Sequence, residues 1–244
     1  MMDIANLLSR HEKIGLQFSG GRDSLATVYL LRPWLDRITV YWGNTDDPYP
    51  ETLEVVDHVR AMCPNFIEIN GRQPQVVAEF GIPSDLVPVN STPLGLSGAR
   101  RAGPLIQDRY SCCWRVVMYP LHQRMKDDGV TLIIRGQREA DNLKGPLRSG
   151  DTMDGFEFLY PIEAWSDAQT SAYLVSEGAP LPRFYDTMST TPGCMTCSAF
   201  WEDGQAQYLK RHHPETYGEV QRRLNIIKIA VEEHIAAFNI EVNS

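Results

Sequence analysis

Seven residues, Phe18-Ser19-Gly20-Gly21-Arg22-Asp23-Ser24, carry the most specific chemistry in the chain. Ile14, Leu16 and Phe18 alternate before them, a strand signal, and Leu25 to Leu31 runs apolar with no breaker until Pro33, a helix signal. The glycine pair therefore joins a strand to a helix. Backbone N–H groups at such a turn point outward with the positive end of the helix dipole and form a nest for an anion such as a phosphate chain. Gly20 and Gly21 let the backbone approach the anion closely. Ser19 and Ser24 add hydroxyl donors, while Asp23 either caps the helix or holds a magnesium ion against the phosphates. A turn without a ligand would need neither both serines nor adjacent glycines. The glycines are adjacent and no lysine follows, so the pattern is neither a Walker loop nor GxGxxG.

Cysteine supplies the second set. Cys112 and Cys113 are adjacent, and Cys194-Met195-Thr196-Cys197 follows about eighty residues later. Four thiolates bind zinc or an iron–sulfur cluster. Two neighbouring side chains close poorly onto one tetrahedral ion, whereas the separate irons of a cubane accept them, so the spacing favours a cluster. Buried thiols beside an accidental CxxC are the structural alternative. Cys63, between a helix and Pro64, reads as core.

The elements that hold these residues follow a strand–helix alternation. Residues 1–12 read as a short helix, Lys13 to Phe18 and Arg37 to Trp42 as strands, Glu51 to Met62 as a helix and Phe66 to Ile69 as a third strand. This order is that of a parallel sheet, whose ligands sit outside the carboxyl ends of strands, where the glycine turn lies. Gly81 to Pro104 reads as a long loop. Its Arg100 and Arg101, with Arg109 beyond, are either contacts to an anionic substrate or solvated cations. Ser111 to Lys126 is helical, with Pro120 marking a kink or a start. Thr131 to Ile134 is a strand that runs into the polar turn Arg135-Gly136-Gln137-Arg138. Phe156 to Tyr160 is another, followed by a helix capped at Ser166 or Asp167 and ended by Gly178. Asp186 to Cys197 is irregular. From Pro214 a long helix carries Val220, Leu224, Ile227, Val231, Ile235 and Phe238 on one stripe, to be buried against the main domain or in a homodimer. Residues 1–180 are expected to form the nucleotide-binding domain, with 181–244 a C-terminal segment packed on it.

The 244 residues, 43% of them hydrophobic, suffice for one large domain or two small ones. No uninterrupted apolar stretch approaches the roughly 20 residues of a membrane span, and Asp3, Arg10, His11 and Glu12 stand where a secretory signal needs an apolar block. A cytoplasmic protein without a membrane partner is expected. The formal net charge of -8 argues against a broad basic surface, so a nucleic acid would have to be held by a local patch. In a reducing compartment the five cysteines read as metal ligands or core residues before disulfides.

Ser-Gly-Gly-x-Asp-Ser at Ser19 to Ser24 resembles the pyrophosphate-binding loop of the N-type ATP pyrophosphatases, which cleave ATP between its α and β phosphates and transfer AMP. The cysteine spacing resembles the [4Fe-4S] ligand set of the adenylylsulfate reductases, within the phosphoadenylylsulfate reductase family. Other stretches agree in order. Asn44-Thr45 with Pro50-Glu51-Thr52 is similar to that family's NTG and PET segment, with Asp46 in place of the glycine. Cys112 to Leu121 resembles its CCxxRKVxPL, Gly136-Gln137-Arg138 its GxR, Tyr160-Pro161-Ile162 with Trp165-Ser166 its PLxxWT, and Gly193-Cys194 with Cys197 its GCxxC. The resemblance runs from about Ile14 to Ala199.

It implies an α/β fold with a parallel, doubly wound PP-loop sheet, adenine nucleotide alpha hydrolase-like, with a C-terminal helical extension. It implies that Ser19, Gly20, Gly21, Asp23, Ser24, Thr45, Gly136 and Arg138 bind nucleotide. Asp23 with Mg2+ and Arg138 at the α-phosphate would be catalytic, and Cys112, Cys113, Cys194 and Cys197 would hold a [4Fe-4S] cluster. Two departures modify this. The reductases form a thiosulfonate on a cysteine near their C-terminus, whereas the last cysteine here is Cys197, and their phosphate loop is altered, whereas this one is intact. Val116 and Val117 also stand where the family has Arg and Lys. The expectation is therefore a PP-loop ATP pyrophosphatase that adenylylates an acceptor for sulfur transfer, as the resembling proteins of DNA phosphorothioation and tRNA thiolation do. A sulfonucleotide reductase using an external thiol is the alternative enzyme, and a non-catalytic nucleotide-binding, cluster-bearing regulator the alternative outside enzymes. Expected partners are ATP or an adenylyl nucleotide and a sulfur donor, protein or sulfide, with nucleic acid as one acceptor class.

Overall fold

The computed structural model describes residues 4–99, 103–141, 145–189, 193–201 and 203–244. Its strands are β1 (Ile14–Phe18), β2 (Ile38–Asn44), β3 (Phe66–Asn70), β4 (Ile82–Ser84), β5 (Ile106–Asp108), β6 (Leu132–Arg135), β7 (Thr152–Met153) and β8 (Phe156–Leu159). Two compact units emerge: residues 1–44, 50–69 and 120–183 form the first, and residues 45–49, 70–119 and 184–244 the second. The second unit thus takes in 45–49 and 70–119 besides the C-terminal segment.

In the first unit a six-stranded sheet runs in the order β3-β2-β1-β6-β8-β7. β1 pairs in parallel with β2 and β6, and β6 with β8, while the edge strand β7 is antiparallel to β8. Strands covered on both faces need apolar side chains pointing both ways, and these have them. Ile14, Leu16, Val40, Trp42, Leu132 and Ile134 join a core with residues of the helices Arg22–Leu30, Pro50–Met62 and Asp167–Ser176. On the opposite face Tyr41, Ile133 and Phe158 pack with Leu121 and Met125 of the Tyr119–Asp127 helix. This is a doubly wound α/β sheet. The Asp167–Ser176 helix begins with a capping box in which Ser166 accepts from the Gln169 N–H and the Gln169 side chain returns to the Ser166 N–H.

The second unit contains what the sequence presented as a loop. β4 and β5 pair in parallel, Ile82 opposite Ile106, and a short helix spans Pro93–Ala99. Strands of three residues, one holding Pro83, give no readable alternation. Arg100 and Arg101 lie outside the described residues. The cysteine-bearing helix changes winding instead of simply kinking. Arg109–Cys113 is α-helical, Trp114–Met118 is π-helical, and the Tyr119–Asp127 helix follows with Pro120 in its first turn. Pro120 has no N–H to give the carbonyl four residues back, and a π-turn accommodates such a lost bond. The C-terminal helix Pro214–Val242 buries its stripe over the first half only: Val220 and Ile227 are in the core, while Ile235 and Phe238 are more than half exposed.

Leu16 is fully buried at the centre of the sheet, so Leu16→Ala should cost about 2–5 kcal/mol through lost burial and a residual cavity, as measured by urea unfolding. A second outcome concerns pH. Hydrogen bonds from Arg222, then Arg223, hold the Glu219 carboxyl at a pKa of about 2, against 4.5 ordinarily. A depressed carboxylate stabilises the fold above its unfolded pKa and loses that contribution as pH falls through its folded one. Glu219→Gln should therefore be less stable than the parent at pH 7, the gap closing between pH 4.5 and about 2.

Candidate active site

β1 ends at Phe18, and the Arg22–Leu30 helix opens with Gly21 as its N-cap, which contributes no side-chain hydrogen bond. Asp23 does not cap it either: its carboxylate lies 3.3 Å from Arg138 Nε and 3.6 Å from Arg22 Nε. Of the two glycines, Gly20 is the one the backbone requires. Its φ is 79°, and a Cβ there would stand 2.5 Å from Thr52 Cγ2. Gly21, at φ -84°, occupies a conformation open to any residue. The serine hydroxyls brace the turn itself. Ser24 Oγ donates to the Gly21 carbonyl at 2.9 Å and accepts from the Ser19 N–H at 3.2 Å. Ser19 Oγ lies 3.0 Å from Ser24 Oγ and accepts from the Gly21 N–H at 3.3 Å.

Pairing of β1 with β6, Gln17 opposite Arg135, carries the chain leaving β6 past the start of this helix. A Cβ on Gly136 would meet the Asp23 carbonyl oxygen at 2.7 Å and the Ser24 nitrogen at 2.8 Å, so only glycine fits there. Two residues on, Arg138 is buried among carboxylates. Its Nη1 donates to Asp167 at 2.7 Å and its Nη2 to Asp141 at 2.9 Å, while Asp141 also accepts from the Arg138 N–H at 2.7 Å. Asp167 in turn bonds Arg22. Burial raises the Asp23 pKa, and the positive charges of Arg138 and Arg22 only partly oppose it. The more exposed Asp167 moves the other way, held down first by its hydrogen bond from Arg138. Three carboxylates thus face two guanidiniums. The sequence marks Asp167 only as a helix cap, and Asp141 only by its place three residues after Arg138.

Thr45, expected at the nucleotide, belongs to the second unit. Its hydroxyl donates to the Gly193 carbonyl at 3.2 Å and accepts from the Asp47 N–H at 3.2 Å. Asp46 between them has φ 68°, a left-handed conformation, which accounts for a glycine at the matching position of the resembling motif. All four expected ligand cysteines lie in this unit and act on one another's charge. Burial, then Cys113 and Cys197, pushes the Cys112 thiol up to about 12; burial, then Cys197, raises Cys113. Burial, then Asp47, raises Cys194 well above the thiol range. Among the described residues, no three His, Cys, Asp or Glu side chains converge closely enough to hold a single metal ion. Cys63 is buried in the first unit's core, its pKa raised by burial to about 11. Arg109 pairs with Asp85 at 3.2 Å.

The phosphoadenosine phosphosulfate reductase domain family matches residues 13–200, a span that contains the glycine turn, Arg138 and all four clustered cysteines. The chain belongs to that family. Adenosine 5'-phosphosulfate reductase of Allochromatium vinosum is 22% identical over 201 residues, 81% of this chain and 73% of that protein. Among solved structures, phosphoadenylyl-sulfate reductase from Candida auris in a phosphate complex superposes with a TM-score of 0.51. Its identity is 16%, covering 71% of this chain and 77% of that one, a likeness of fold. No helix among the described residues is long and apolar enough to cross a membrane.

The two glycines separate backbone need from ligand approach. Gly20→Ala should lower both melting temperature and nucleotide affinity, because strain falls on the turn itself. Gly21→Val should fold and yet lose nucleotide affinity by roughly tenfold, because its side chain stands where the backbone would meet the phosphate. Calorimetric titration with adenosine nucleotides, alongside thermal melts, checks both.

Proposed function

We propose that this family member acts on a sulfonucleotide, an adenylylated sulfate, and reduces its sulfur to sulfite with electrons from an external thiol. The observation that carries this reading is the family match across residues 13–200, which takes in both the anion turn and the cysteine set. An external thiolate would attack the sulfur atom. The sulfur–oxygen bond to the phosphate would break, with AMP or its phosphorylated form leaving on the electron pair. A second thiol would then attack the thiol sulfur of the resulting thiosulfonate, releasing sulfite and leaving a disulfide. In this reading the thiol is external, since Cys63 is buried and the other four cysteines would hold the cluster.

In this reading the N–H groups of the Gly20–Gly21 turn and the first turn of the helix bind the nucleotide phosphate. Arg138 and Arg22, placed by Asp141 and Asp167, supply positive charge to the leaving phosphate. Gly136 gives the turn its room. Cys112, Cys113, Cys194 and Cys197 would hold a [4Fe-4S] cluster, whose chemistry is to present a charged thiolate-bound iron centre. The donor set suits it. Burial raises three of these thiols, Cys112, Cys113 and Cys194, and a metal that takes the place of their protons would offset that cost.

A specific observation favours a second reading, in which Mg2+-bound ATP is cleaved to AMP and pyrophosphate to adenylylate an acceptor for sulfur transfer. The Ser19–Ser24 turn keeps its left-handed glycine and both bracing serines, and the carboxylates of Asp23, Asp141 and Asp167 outnumber the guanidiniums that face them. Such a surplus suits a magnesium polyphosphate. The regulator is the reading without turnover of either nucleotide.

Anaerobic assay separates these. Adenylylsulfate or its 3'-phosphorylated form with a dithiol should yield sulfite and the adenosine nucleotide, whereas ATP with Mg2+ should yield no AMP or pyrophosphate. The opposite pattern would establish the second reading. The protein should be brown, with about four iron and four labile sulfides per chain. Cys197→Ser should lose that colour and Cys63→Ser keep it; one zinc per chain without sulfide would replace the cluster by a zinc staple.

A further inference from the structure

Thr196 sits between Cys194 and Cys197, and all three of its polar groups are engaged by residues far away in sequence. Its N–H donates to Asp47 Oδ2 at 2.8 Å, and its hydroxyl donates to the same oxygen at 2.5 Å. Its carbonyl accepts from Arg223 Nη1 at 2.8 Å. The Asp47 backbone takes part as well, its carbonyl accepting from the Met195 N–H at 2.7 Å. Arg223 projects from the Pro214–Val242 helix, is 8% exposed, and has its Nε fixed on Glu219 Oε1 at 2.7 Å. Asp47 follows the left-handed Asp46, and Thr45 beside it holds the Gly193 carbonyl. The short segment Thr45 to Asp47 and one buried arginine thus hold three of the four residues from Gly193 to Thr196, namely Gly193, Met195 and Thr196.

This arrangement has a physical reason. A two-residue spacer between cysteines has several accessible backbone conformations, and the separation of the sulfurs depends on which one is adopted. Fixing the N–H, carbonyl and hydroxyl of a spacer residue selects one conformation before any metal arrives. Conformational entropy that would be lost on metal binding is then lost on folding instead. Burying an arginine for a single backbone carbonyl is costly unless its charge is met, and here Glu219 meets it. Generic packing would need neither the charge nor the fork.

We propose that Asp47 and Arg223 are positioning residues that preset the Cys194–Cys197 pair for its metal centre, acting through Thr196. The inference rests on the reading of these cysteines as metal ligands in the preceding subsection. It extends that reading by assigning two residues that lie outside the cysteine motifs, one of them on the C-terminal helix beyond residue 200.

The test uses the full chain, purified anaerobically, with Asp47→Asn, Arg223→Lys and the harsher Asp47→Ala and Arg223→Met. Iron transfer to a chelator should be roughly tenfold faster in Asp47→Ala and Arg223→Met than in the parent, the scale on which outer partners of metal ligands act. Arg223→Lys, which keeps the charge and one donor, should recover part of the loss; a purely structural effect would follow the melting temperature instead. In parallel, each apo protein is alkylated under native conditions and every cysteine is followed by mass spectrometry. Cys194 and Cys197 should react several-fold faster in the variants, with Cys63 unchanged as the internal control. Parent-like iron transfer and parent-like alkylation of Cys194 and Cys197 would overturn the proposal while leaving the cluster reading intact. If the parent itself carries no iron or sulfide, the cluster reading fails separately, and the alkylation of Cys194 and Cys197 alone decides whether the clamp exists. Should the truncations fail to fold, the Asn and Lys variants carry the same two measurements.

Discussion

The Ser19–Ser24 turn depends on an absence, the missing side chain at Gly136. The parallel pairing of β1 with β6 delivers both strand ends to one edge of the sheet, and at that edge the chain after β6 passes within 2.7 Å, measured from a Cβ on Gly136, of the Asp23 carbonyl. Any larger residue would push the two segments apart. That close approach lets Arg138 reach Asp23, and through Asp167 connects it to Arg22. The helix start, the second turn and the charged cage are therefore one construction set by strand register.

Its electrostatics carry a consequence for the ligand. An arginine already engaged by three carboxylates has spent much of its field on them, and an incoming anion gains only what those carboxylates yield. Asp167 is the exposed member, its side chain 68% accessible, and it touches both guanidiniums. It is the partner an anion most easily displaces, since solvent can receive its charge. Asp23 is the buried member, and burial raises its pKa against the pull of Arg138 and Arg22.

Much of this was legible in the sequence because backbone geometry leaves marks that side-chain contact does not. Adjacent glycines between an alternating and a helical run marked the turn, and the structure assigns the conformational need to Gly20 alone. The parallel sheet followed from the order of apolar runs. β4 and β5 were hidden because three-residue strands have no period to read, and β7 because two residues have even less, although Asp154-Gly155 after it is a hairpin turn signal with φ of 52° and 83°. The carboxylate cage was hidden for another reason. Asp141 and Asp167 meet Arg138 through the fold, and no spacing rule joins residues on separate elements. The motif around Thr45 was legible too, while the bond from its hydroxyl to the Gly193 carbonyl was not. The cysteines announced themselves by spacing, while Arg223, which braces them, stands on a helix whose sequence shows only an apolar stripe.

The proposed reading, carried by the family match over residues 13–200, requires that this chain bind a sulfonucleotide in preference to a polyphosphate. Competitive calorimetry tests it most directly, titrating adenylylsulfate into protein first saturated with Mg2+ and a non-hydrolysable ATP analogue, and then in the reverse order. The account predicts that adenylylsulfate displaces the analogue and binds at least about tenfold more tightly, a difference of about 1.4 kcal/mol. Tighter binding of the Mg2+-bound analogue, with adenylylsulfate unable to displace it, would contradict the account.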